Sequence, residues 1–150
     1  MRLPVSLAFG LVLSAFVANP AAWAEDAAPG LTLTVTITGL GSADGQAMVA
    51  LFNQEDSFLK DPMEGQVIDI ADDQTATTTF EGLAAGPYAV SVIHDENGNG
   101  KVDTNFIGIP KEPVGVSNNP KPRMGPPRYK DAVFDMTSDH AITITMGKAK

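Results

Sequence analysis

Residues 31–38 alternate without a break: Leu31, Leu33, Val35 and Ile37 fall on one face, and Thr32, Thr34, Thr36 and Thr38 on the other. A period of two is that of a strand with one face buried. Gly39 to Gly45 supplies a turn, and Gln46 to Phe52 reads as a second, more buried strand. Asn53 to Met63 is polar and contains Pro62, so it reads as a loop with room for one helical turn around Glu55–Phe58. Three further strands are expected at Val67–Ile70, Thr75–Phe80 and Tyr88–His94, with the glycine- and proline-bearing turn Gly82–Pro87 before the last. Ala132–Met136 and Ala141–Met146 complete a set of seven. Short strands separated by turn residues predict an all-β, seven-stranded β-sandwich. No intervening segment is long and apolar enough for a crossover helix, which excludes a doubly wound α/β fold.

The register of the fifth strand matters for chemistry. It puts Tyr88, Val90, Val92 and His94 on the core face, so Asp95 opens a loop at a rigid strand end. That loop carries Asp95, Asn97, Asn99 and Asp103 at positions 1, 3, 5 and 9 of a calcium-binding pattern. Gly100 stands at position 6, where a sharp turn is needed, and the carbonyl of Lys101 falls at position 7. Hard cations want six to eight oxygens, which alternate residues of a tight loop can supply. Position 12 should be a bidentate acid and is Phe106. Glu96 points the wrong way in the alternation, so Glu112 is the residue expected to close the shell. With few carboxylates, the expected calcium affinity is weak, on the order of 10⁻⁴ M or poorer, and the ion would be the main partner of Asp95. The competing reading is an Asn/Gly turn held by side-chain-to-backbone bonds without any metal.

Composition sets the compartment. Arg2, the apolar run Leu3–Ala18 and Ala22-Trp23-Ala24 have the form of a signal peptide over 1–24, leaving a single β-sandwich domain at 25–150 in the periplasm or outside the cell. No transmembrane segment is expected after processing. The absence of cysteine excludes disulfides and a lipidated cysteine. Formal net charge is −8, or −9 once Arg2 is removed, which disfavours nucleic acid and anionic membranes as partners of the body as a whole. No Gly-x-Ser-x-Gly, His-Glu-x-x-His or phosphate-loop pattern occurs, so the chain is read as non-catalytic. The alternative is a metal-assisted hydrolase using the same acidic loop. Five of the basic residues (Lys111, Lys121, Arg123, Arg128, Lys130) lie in segment 111–130 with the single acid Glu112 and five prolines. The prolines are expected to prevent a regular strand or helix. Such a loop either drapes over the sandwich or recognises an anionic glycan or envelope component.

The run from Phe80 to Pro113, with Gly82-Leu83, Gly86, Tyr88 and the acidic loop, resembles the uncharacterised bacterial family named domain of unknown function 2141. Gly115–Asn119 and Gly125–Phe134 resemble it too. The resemblance implies a secreted protein with a Greek-key, transthyretin (prealbumin)-like sandwich, as in bacterial adhesin B domains and carboxypeptidase regulatory domains. It implies no established activity. Pro113–Val116 carries aliphatic residues where aromatics are common in the family, which weakens any stacking role there.

Overall fold

A computed structural model describes residues 29–107 and 109–147; the expected leader at 1–24 lies outside them. The described chain is all-β, with eight strands in two sheets and one four-residue helix. In order these are β1 (Leu31–Thr38), β2 (Gln46–Phe52), β3 (Glu64–Asp69), β4 (Ala76–Leu83), β5 (Gly86–Asp95), β6 (Val114–Val116), α1 (Tyr129–Ala132), β7 (Phe134–Met136) and β8 (His140–Thr145). The smaller sheet runs β4-β1-β8, with β4 antiparallel and β8 parallel to β1. The larger runs β3-β2-β5, and the far edge of β5 is shared between β6 and β7.

The alternation in β1 is realised as expected, with Leu33, Val35 and Ile37 fully buried. They join Val49 and Leu51 of β2, Tyr88, Val90 and Val92 of β5, Phe80 of β4 and Ile144 of β8 in one core. Each such side chain contributes about 1.5–3 kcal/mol by leaving water. A second cluster lies on the opposite face of β5, where Ala89 meets Phe52, Phe58, Val116 and Ala132. Phe58 stands edge-on to both Phe52 and Tyr129, with ring centroids 5.2 and 5.6 Å apart. The central strand β5 is therefore covered on both faces. At its start, the Tyr88 hydroxyl donates to the Ala84 carbonyl at 2.9 Å and pins the Gly82–Pro87 turn.

Segment 111–130 departs from expectation, and it accounts for an eighth strand where seven were expected. Pro113 and Pro120 flank a proline-free stretch, and within it Val114–Val116 pairs with Ser91–Ile93. Three residues are enough when the neighbour is a fixed central strand. Gly115 is required by packing, since a Cβ there would sit 2.7 Å from Ile144 Cγ2 and 2.9 Å from Met146 Sδ. Further on, α1 takes up Tyr129–Ala132, so the strand expected from Ala132 begins at Phe134. Residues 55–60 form hydrogen-bonded turns and no helix.

Ser117 stitches this segment to the centre. Its buried hydroxyl accepts from Val90 N–H at 3.0 Å and donates to the Ala132 carbonyl at 2.6 Å. Ser117→Ala leaves both groups without that partner in a dry site, and a loss of about 1–3 kcal/mol is expected in urea unfolding. An unchanged midpoint would contradict the stitch.

Candidate cation loop at the end of strand β5

The loop is built where the β1–β2 turn meets the end of β5. In the β2–β5 ladder Gln46 lies opposite Asp95. The Gln46 side-chain amide donates to Asp95 Oδ2 at 2.7 Å. Just before it, Gly45 has φ +73°, a left-handed conformation that favours glycine. Any Cβ at position 45 would collide with the Asp95 carbonyl, so the turn can lie against the site only as glycine. His94, fully buried, has Nε2 2.9 Å from the Asp44 carbonyl and ties the same turn from the other side.

Asp95 is fully buried and organises the backbone that follows. Its Oδ1 accepts from Asn99 N–H at 3.2 Å, and its Oδ2 from Gly100 N–H at 2.8 Å. Gly100 reaches this position with φ +72°. Asn97 Oδ1 accepts from Asn99 N–H at 3.0 Å, and Asn99 Oδ1 from Lys101 N–H at 2.8 Å. Each is a local turn in which the amide oxygen replaces a backbone acceptor. The amide nitrogens of both asparagines reach Asp103: Asn97 Nδ2 at 2.5 Å, and Asn99 Nδ2 at 3.2 Å from each carboxylate oxygen.

Glu112 approaches the group from across the loop. Its Oε2 accepts from Asp103 N–H at 3.2 Å. The residue is only 6 % exposed, and its Oε1 has no hydrogen-bond partner among the described residues. Hydrogen bonds thus link Asp95, Asn97, Asn99 and Asp103, and Glu112 joins them through the Asp103 N–H. Lys101 touches the group through its N–H, whereas the pattern called for its carbonyl. Glu96 is exposed and turned toward His94 Nδ1, 4.0 Å away, and Phe106 is out in solvent. Sequence reasoning did not find Gln46, because a cross-strand partner depends on register between segments about fifty residues apart.

The donor chemistry suits a hard cation. Among the described residues, no group of three or more His, Cys, Asp and Glu side chains is placed to hold a metal, so amide and carbonyl oxygens would have to supply the rest of a shell. Oxygen-only shells of this mixed kind are what calcium accepts. Each asparagine Oδ1 still has a second lone pair beside the one taken by a backbone N–H.

The profile of the bacterial family described as "Uncharacterized protein conserved in bacteria (DUF2141)" matches residues 35–145. The chain belongs to this family. No curated protein and no solved structure matches the chain. The DUF2141 match runs from β1 to β8 and includes the whole 95–112 group.

Burial pushes the Asp95 carboxyl up, but hydrogen bonds from Gly100 N–H, the Gln46 amide and the Asn99 N–H outweigh it. The net result lies below the ordinary 3.8. A carboxylate with a lowered folded-state pKa adds stability that is fully present above its unfolded pKa and lost as pH falls through the folded one. Asp95→Asn, measured in chelator, should therefore be less stable than wild type above about pH 4, with the difference closing at lower pH. A difference that does not change with pH would show that the carboxylate charge plays no part.

Proposed function

We propose that this DUF2141 chain is an exported, non-catalytic binding or scaffolding domain of the cell envelope whose 95–103 loop takes calcium. The observation that carries the reading is the Glu112 side chain, buried beside Asp103 with Oε1 unpartnered. A buried carboxylate oxygen without a donor costs on the order of 1–3 kcal/mol or more, which a cation would relieve. Asp95, Asn97, Asn99, Asp103, Glu112 and the Lys101 carbonyl would hold the ion, the acids closing up around it from their present spacing. Bound there, it supplies charge neutralisation and fixes the loop against the sandwich. A transthyretin-like Greek-key connectivity and a periplasmic or extracellular location belong to the same reading, supported by the leader-like residues 1–24.

The hydrolase alternative is less well supported. Asp95 already accepts three hydrogen bonds, which leaves it poorly disposed to activate water. The two concavities described are lined by no residue of 95–112. One of them, an open groove of about 580 Å³, brings Lys60, Arg128 and Lys130 beside the Tyr129 ring. It is the place where an anionic glycan or envelope component would meet segment 111–130. Arg128 is partly spent there on Asp131, 2.9 Å away.

Calcium that binds only the folded state stabilises it by RT ln(1 + [L]/Kd). With Kd on the order of 10⁻⁴ M, calcium at about 100 times Kd adds about 2.7 kcal/mol and raises Tm by roughly 10 °C. Magnesium should do much less, because it demands a near-octahedral shell. Asp95 is a poor position for the control, since its protein partners make Asp95→Ala costly even in chelator. Asp103→Ala is the cleaner variant, and it should remove the calcium increment. Equal melting with calcium and with chelator would contradict the reading.

A further inference from the structure

Asp103 and Glu112 stand at the two feet of a small projection. Lys111 N–H donates to the Asp103 carbonyl at 2.8 Å, Thr104 bridges Pro110, and Asn105 N–H donates to the Ile109 carbonyl at 2.9 Å. Inside it, Asn105 Oδ1 accepts from the N–H groups of Ile107 and Ile109, each at 3.0 Å. The apolar side chains are exposed: Phe106 is 99 % exposed, Ile107 64 % and Ile109 54 %, with Val102 also exposed nearby. None of them belongs to either core cluster. Single exposed apolar residues are ordinary, but a tip made of three large ones on an internally bonded backbone calls for a partner.

We propose that this tip is an apolar finger that docks on a phospholipid bilayer, more strongly when a cation sits in the 95–103 loop; the cation's part rests on the calcium reading above. Several features favour a lipid surface over a protein. A tip of three large apolar side chains falls short of the roughly 20–30 residues a side of a stable protein interface, whereas interfacial anchoring scales with whatever apolar area is inserted. Its backbone N–H groups at 105, 107 and 109 are bonded within the loop, so entering the headgroup–acyl boundary leaves fewer of them unsatisfied. Lys101 and Lys111 are exposed at its base, where ammonium groups meet lipid phosphates. Against them stand Asp95, Glu96, Asp103 and Glu112, which repel an anionic surface. A divalent cation bound among these acids offsets that local excess of two negative charges, which explains how a chain of net charge −8 could approach such a membrane at this end.

The test is co-sedimentation of the processed chain, residues 25–150, with vesicles of phosphatidylethanolamine and phosphatidylglycerol, in calcium and in chelator. It compares wild type with the double variant Phe106→Ser, Ile107→Ser, whose thermal stability should be unchanged because both positions are exposed. Wild type should pellet in calcium, several-fold less in chelator, and the variant should lose affinity about tenfold or more. No pelleting, or equal pelleting of both chains, overturns the finger. If pelleting is absent but an envelope protein retains wild type and not the variant, the lipid assignment is overturned in favour of a protein partner. The two readings fail separately. A calcium-dependent Tm without pelleting removes the finger alone, whereas variant-sensitive pelleting with no calcium effect upholds the finger and removes the ion's part.

Discussion

The position of Asp95 follows from how β5 is held. Gln46–Phe52 zips along one edge of that strand, β6 and β7 divide the other, and apolar clusters cover both faces. A strand fixed on four sides cannot slip, because a one-residue shift would turn Val90 and Val92 out of the core. Its last residue is therefore delivered to one place, opposite Gln46 and against Gly45. The loop that follows inherits this precision through one carboxylate, which gathers the N–H groups of Asn99 and Gly100. From there the order spreads outward, through the asparagines to Asp103 and from Asp103 to Glu112 and the exposed tip.

What was legible in the sequence was local. Alternation over Leu31–Thr38 and Gln46–Phe52 gave those strands their full extent, since period two needs no knowledge of neighbours. The oxygen spacing from Asp95 to Asp103 pointed to residues that do converge, because loop geometry is also local. Alternation sends Glu96 outward, where it is exposed, and Glu112 is the acid that lies beside Asp103. β6 was not legible, since a three-residue strand between prolines has no period of its own and exists through pairing with Ser91–Ile93. Gln46 escaped notice likewise, as did the second cluster around Phe58, which forms only when the 53–63 loop folds over the outer face of β5.

Under the proposed calcium reading, the loop is a compromise between self-sufficiency and ion binding. Asp95 is satisfied by protein donors. Glu112 is the opposite case: a carboxylate is buried and only half satisfied, which a purely structural turn gives no reason to keep. An ion bound as proposed would adjust an existing loop, with its effect at the feet of the projection bearing Phe106.

Anomalous diffraction from crystals grown with calcium tests this most directly. The account predicts one peak among the side-chain oxygens of Asp95, Asn97, Asn99, Asp103 and Glu112, with Oε1 of Glu112 within about 2.3–2.6 Å of it. The same crystals with no peak there, and Glu112 Oε1 bonded instead to an ordered water or a protein donor, would contradict it.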